Sequence, residues 1–255
     1  MGLYNYDSTE IPKSDRIPKL VENLYAKMPE IESARAILIT ESYRQTENEP
    51  MVIRRAKAFA HILENIPIVI RDLELIVGST TIAPRGCQTY PEFSYEWLEA
   101  EFDTVETSAD PFYISEKTKQ ELKEANAYWK GKTTSELATS YMEPETLLAM
   151  EHNIFTPGNY FYNGVGHVTV KYGEVLAIGF SGIKAKAQAE LDKLCLADGD
   201  YQKKSRFLEA VMISCDAAIE YARRYARLAL KEAEECTDPV RKRELLQIAQ
   251  NCANV

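Results

Sequence analysis

One apolar stripe running unbroken from Tyr201 to Glu235 constrains this chain more than any other feature. Leu208, Val211, Met212, Cys215, Ala218, Ile219, Ala222, Tyr225, Ala226 and Ala229 recur at the three- and four-residue steps of a single helix face. Thr237-Asp238-Pro239 then closes that helix and opens another, with Asp238 as N-cap and Pro239 at the first helical position. The same period recurs from Pro50 to Glu64 through Val52, Ile53, Ala56, Phe59, Ala60 and Leu63, and Pro67 lies just beyond its end. Further helices are expected over Asp15–Ala26, Ile31–Gln45, Tyr95–Phe102, Glu116–Trp129 and Tyr172–Leu194. Thr133-x-x-Glu136 has capping-box spacing and opens a short helix ending before Pro144. Strand signals are brief: Ile66–Ile70, Leu75–Val77 and Val168–Val170. The expected class is mainly α with a few short strands.

A chain of 255 residues with 45% apolar and 27% charged residues can bury a real core. Its formal charge of −9 speaks against a nucleic-acid partner, whose phosphates call for basic surface. No apolar run approaches the ~20 residues of a membrane span. The start, Met1-Gly2-Leu3-Tyr4-Asn5-Tyr6-Asp7, lacks the basic and apolar regions of a signal peptide. Five scattered cysteines with no Cys-x-x-Cys pair argue against a disulfide scaffold or zinc site and for a reducing, cytoplasmic setting.

Chemistry concentrates between Thr156 and Tyr172, where tyrosines, glycines and one of three histidines crowd together. Gly164 and Gly166 permit backbone turns that other residues resist, and His167 follows them, able to donate to or accept from a small polar ligand. A turn with a satisfied core histidine is the plainer reading of the same residues. His61 reads as the edge of an amphipathic helix and His152 as a helix end, with no metal-ligand spacing between the three. Arg85 reads as a structural ion pair or carbonyl cap, and Cys87 as a buried or bystander thiol. Gly131-Lys132-Thr133 lacks the first glycine of a P-loop, since Asn126 stands there. The charge runs Glu232–Glu235 and Arg241–Glu244 read as solvated helix faces.

Several runs go further: Ala34-Arg35-Ala36-Ile37-Leu38-Ile39-Thr40-Glu41-Ser42, then Arg55-Ala56-Lys57-Ala58-Phe59 with Ile66-Pro67-Ile68, then Glu74-Leu75-Ile76-Val77-Gly78. Together they resemble the N-terminal part of the glycyl radical enzymes, which include pyruvate formate-lyase, choline trimethylamine-lyase and the B12-independent diol dehydratases. Tyr128–Met142 and Gly158–Val168 are similar to the glycerol and propane-1,2-diol dehydratase branch. The resemblance implies a helical N-terminal lobe around a ten-stranded α/β barrel. It also implies that His167 contacts a substrate hydroxyl, with Asn159 and Tyr162 as further substrate-binding candidates. Choline lyases carry an aspartate at the His167 position, which argues against choline.

The family's radical chemistry also needs a glycyl loop and a cysteine followed two places on by glutamate. Here Cys87, Cys195, Cys215, Cys236 and Cys252 are followed by Thr89, Ala197, Ala217, Asp238 and Asn254. Residues 1–255 are therefore expected to form the N-terminal part of a pyruvate formate-lyase-type domain, cut before the radical residues and inactive alone. The implied parent removes water from glycerol or propane-1,2-diol to give an aldehyde, binds no cofactor itself, and is a homodimer. A radical-SAM activating enzyme would install its radical. The alternatives are another glycyl radical lyase (formate acetyltransferase-like, hydroxyproline dehydratase or choline lyase) or a non-catalytic helical binding module.

Overall fold

The computed structural model describes residues 14–102, 111–157 and 169–255. In chain order these give α1 (Arg16–Tyr25), β1 (Glu30–Glu32), α2 (Ala34–Gln45), α3 (Met51–Asn65), β2 (Gly86–Gln88) and α4 (Glu96–Glu101). There follow α5 (Glu116–Trp129), α6 (Thr134–Ser140), α7 (Pro144–Glu151), α8 (Tyr172–Leu191), α9 (Tyr201–Glu235) and α10 (Pro239–Ala253). The expected mainly α class holds.

The long helix α9 is the spine, with α3, α8 and α10 packed along it. Because it meets several neighbours, its buried face is wider than one stripe. Ala210, Ala217 and Ala233 are buried beside Cys215, Tyr225, Ala226 and Ala229, whereas Leu208, Val211 and Met212 are only half-buried. Small side chains there let the helix axes approach closely. The α3 stripe is corrected in the same sense. Ile53, Ala56, Ala58, Ile62 and Leu63 are its buried residues, while Val52 and Phe59 are exposed. The face is rotated because α3 must serve both α2 and α9.

Local signals fix several boundaries. Asp238 Oδ1 accepts from Val240 N at 2.9 Å and Pro239 begins α10, as expected. Thr133 and Glu136 form a reciprocal capping box: Glu136 N donates to Thr133 Oγ1 at 3.0 Å and Thr133 N to Glu136 Oε2 at 3.1 Å. Burial alone would raise the Glu136 pKa, but the N–H donors of Gly131 and Thr133 and the Thr133 hydroxyl bring it below the usual carboxylate value.

The strands lie elsewhere than expected. Ile31 and Glu32 belong to β1 rather than to the following helix, and β1 pairs in parallel with β2 in the register Glu30–Gly86, Ile31–Cys87, Glu32–Gln88. Neither 66–70 nor 75–77 is a strand, and Thr169 and Val170 are in none, Val168 lying outside the described residues. Strand-like composition failed at 66–85 because side chains, not another strand, meet its carbonyls. Arg224 donates to Leu63 O and Ile66 O, both at 2.6 Å, and Arg241 to Glu74 O at 2.7 Å and Arg71 O at 3.0 Å. Arg71 reaches forward to Thr81 O at 2.7 Å and Ala83 O at 3.1 Å, and Tyr225 Oη donates to Ser79 O at 2.7 Å. Paired this way, the segment has no need of a sheet partner.

Candidate functional site

His167, Asn159 and Tyr162, the residues expected to bind substrate, lie outside the described residues. Described structure flanks these positions on either side. On the N-terminal side α7 ends at Glu151 with His152 as its C-cap, and the chain turns through Asn153 in the left-handed region (φ 54°), with Ile154 N donating to Ala149 O at 2.9 Å. On the C-terminal side Lys171 caps α8 and pairs with Glu174 at 2.7 Å. Glu174 also pairs with Lys186, twelve residues on. A straight helix would separate those two by about 18 Å at 1.5 Å per residue. They meet because α8 breaks at Gly179 (φ 63°, ψ 179°), a conformation that only glycine adopts readily. The two lysines hold the half-buried Glu174 carboxyl down at about 2, chiefly through their hydrogen bonds to it. α8 is tied to α9 by Lys184 and Asp216 at 2.7 Å.

The Glu-Leu-Ile-Val-Gly box forms the other half of the picture. Glu74 accepts from the Arg71 backbone and guanidinium, both at 2.9 Å, closing a tight turn through Leu73 in the left-handed region (φ 67°). Gly78 follows at φ 122°. Between them Val77 packs onto the α9–α10 core, while Leu75 and Ile76 are exposed, Ile76 at 90%. The box is thus a clamped turn that presents two apolar side chains. Arg16 adds a hydrogen bond to Leu73 O at 2.6 Å and an ion pair with Glu244.

The clamp corrects one expectation. Arg241 and Glu244 are not a solvated face: their side chains are mostly buried and pair at 3.1 Å over the turn. Burial would raise the Glu244 pKa, but its bonds to Arg16 and Arg241 bring it below the usual value. Glu232 is half-buried too, and burial pushes its carboxyl up. Periodicity could not separate these arginines from surface ones. The only signal was an excess of cations facing a segment rich in strand formers.

The remaining candidates fall where their residue types suggest. Arg85 caps a carbonyl, Lys27 O at 3.3 Å, and lies over the Tyr25 ring. His61 pairs with Glu41 at 3.0 Å at the edge of α3, and Thr133 serves its capping box. Cys87 is exposed on β2. Its neighbour Gly86 has a structural cause, because a Cβ there would sit 2.5 Å from Thr81 Cβ and 2.7 Å from Glu32 Oε1. Burial raises the Cys215 and Cys252 thiols, so neither is primed as a thiolate.

Known proteins agree with the motifs. A solved structure describing 1,2-propanediol dehydration in Roseburia inulinivorans superposes with TM-score 0.93 at 69% identity, covering 98% of this chain and 30% of that one. The glycerol-bound B12-independent glycerol dehydratase from Clostridium butyricum gives 0.89 at 52% identity, covering 94% and 31%. The (2S)-3-sulfopropanediol dehydratase of Klebsiella oxytoca is 35% identical over 246 residues, which are 94% of this chain and 30% of that protein. The chain therefore spans about a third of the length of these relatives. The profile described as "Pyruvate formate lyase-like" matches residues 9–255, and this chain belongs to that family.

Proposed function

We propose that this chain supplies the N-terminal helical lobe of a glycyl radical dehydratase that removes water from glycerol or propane-1,2-diol to give an aldehyde. The observation that carries the reading is the spread of identity: 69% and 52% to the structures concerned with propanediol and glycerol, against 35% to the sulfopropanediol enzyme. Exposed apolar side chains at Leu75, Ile76 and Leu176 fit a lobe that packs on further polypeptide. The family's chemistry then divides the work. A thiyl radical takes hydrogen from one carbinol carbon, the neighbouring hydroxyl leaves as water, and the product radical recovers hydrogen from the cysteine. None of the five cysteines here has the required glutamate two places on, so this lobe contributes substrate positioning. A homodimer, a radical-SAM activating enzyme as partner and a cytoplasmic setting belong to the same reading. Among the described residues no helix is long and apolar enough to cross a membrane.

His167 is the positioning residue of this proposal, a neutral donor or acceptor for an uncharged alcohol. Leaving a buried hydroxyl unpaired costs about 1–3 kcal/mol. In a polypeptide that continues this chain through the remaining length of its relatives, His167→Ala should lower kcat/KM for the diol by roughly 5- to 150-fold. The glycyl radical doublet in electron paramagnetic resonance should persist. Unchanged diol kinetics would overturn the contact role. Given activating enzyme, reductant and S-adenosylmethionine, the 255-residue chain alone should develop no glycyl radical. A doublet on it would overturn the division of labour.

A further inference from the structure

We propose that a cavity between α2, α3 and residues 80–92 binds a small organic monocarboxylate with a short apolar tail, a site independent of the diol reading. The cavity holds about 240 Å³. Ile39, Ala58, Ile62, Leu63 and Ile66 form its apolar floor, and Thr80, Tyr90 and Arg55 stand among its polar wall.

Charge bookkeeping selects the ligand. Arg35 also lines the cavity but is spent: it forks onto Glu92 at 2.5 and 3.1 Å, donates to Thr89 O at 3.1 Å, and stacks 3.9 Å over the Tyr90 ring. Arg55 has no hydrogen-bond or ion-pair partner among the described residues. Near it lies Tyr43, only 6% exposed, whose hydroxyl finds no better acceptor than Met51 Sδ at 3.8 Å. A thioether is a weak acceptor, so the O–H is close to unsatisfied. Tyr43 and Arg55 line the same cavity, and burial pushes the Tyr43 pKa up. The lining thus combines a free guanidinium and an under-used hydroxyl donor with a hydrocarbon floor.

A monoanion matches the single unpaired charge. A dianion would carry excess charge beside the Glu92 carboxylate, and a metal cation would be repelled by Arg55. A carboxylate accepts from the guanidinium fork in its natural geometry. The volume lies below the ~300–1,000 Å³ of drug-sized sites, which limits the guest to about ten non-hydrogen atoms. Affinity should be in the ~mM range for so small a guest.

The test titrates the 255-residue chain with butyrate and benzoate, following backbone amides of residues 55–66 and the Trp129 indole by two-dimensional NMR. Trp129 is a sensitive reporter, its ring lying 4.9 Å from that of Tyr43. Saturable shifts confined to this region are expected, with Arg55→Gln weakening binding about tenfold or more and butyramide binding no better than that variant. Arg55 is exposed, so the variant should keep the remaining spectrum unchanged. Equal binding by Arg55→Gln, equal binding of butyramide, or no saturable shift would each overturn the proposal. As a second variant, Ala58→Leu should fill the floor and abolish binding while Arg55 is intact. Undiminished binding there would place the guest elsewhere and also overturn it.

Discussion

The segment from Ile66 to Arg85 and the helix α8 both lie against α9, yet they are held there by different forces. The first has no regular secondary structure before its β2 end and is fixed by guanidinium and phenol donors aimed at its carbonyls. The second is regular on either side of one kink and is fixed at its ends by lysine–carboxylate pairs in solvent. Hydrogen bonds from charged groups to sheltered carbonyls contribute about 1.5–3 kcal/mol each, whereas exposed ion pairs contribute about 0–1. The irregular segment should therefore be the more strongly determined of the two, although regularity alone would suggest the reverse.

Removing the hub of the clamp should break the first region most. Arg71→Ala removes the guanidinium from the carbonyls of Thr81, Ile82 and Ala83 and from the Glu74 carboxylate, and should cost about 3 kcal/mol in urea unfolding. Arg71→Lys should recover only a minority of this, since an ammonium cannot fork to several carbonyls at once. Full rescue by lysine would show that charge alone, rather than donor geometry, holds the segment. Gly86→Ala comes next. Its Cβ would overlap Thr81 Cβ at 2.5 Å in a strand anchored by Glu32, and overpacking of this kind costs about 1–3 kcal/mol. Wild-type stability in that variant would show that β2 yields more easily than its bonding suggests.

The helices were legible because their determinants are local. The 116–129 and 201–235 spans could be read from period, and the Asp238 and Thr133 caps from two or three residues each. Residues 66–85 were not, because Ile66-Pro67-Ile68-Val69-Ile70 and Leu75-Ile76-Val77 have strand composition in a place where no strand arrives to pair. The donors that replace it stand up to 170 residues away in sequence, on α9 and α10. Arg241 was read as solvated for the same reason, since a helix-face arginine looks alike whether it meets water or a carbonyl. Gly86 likewise has a cause visible only in three dimensions, the close approach of Thr81. His167 stands out by its glycine-rich, aromatic surroundings, but its role and those of Asn159 and Tyr162 rest on family motifs, and all three fall in 158–168, outside the described residues.

A finer probe of the clamp is Tyr225→Phe. The lost hydroxyl donates to Ser79 O at 2.7 Å, but Tyr221 Oη donates to the same oxygen at 2.9 Å, so the carbonyl keeps a partner. The cost should be about 0.5–1.5 kcal/mol, and removing both hydroxyls should cost more than the sum of the single changes. Strict additivity in that double-mutant cycle would mean the two phenols act independently.

The smallest effect should come from the α8 region, and its sign is set by Glu174. Its folded pKa of about 2 lies below the ordinary value of 4.5, so its ion pairs favour the folded state above pH ~4.5. That contribution fades as pH falls from there and is gone once the carboxyl protonates near 2. Both lysine partners are largely exposed, so the contribution should be smaller than that of Tyr225 and should weaken further in high salt. Glu174→Gln should therefore lower the unfolding midpoint slightly at pH 7, less in 1 M salt, and not at all near pH 2. Urea unfolding of both proteins at pH 7, 4 and 2.5 checks this, because the gap between them must shrink as pH falls. A gap that stays constant with pH would mean that the 174 side chain acts through packing at the Gly179 bend rather than through charge. α8 would then be held in the same manner as the clamped segment, and the contrast between the two regions would fail.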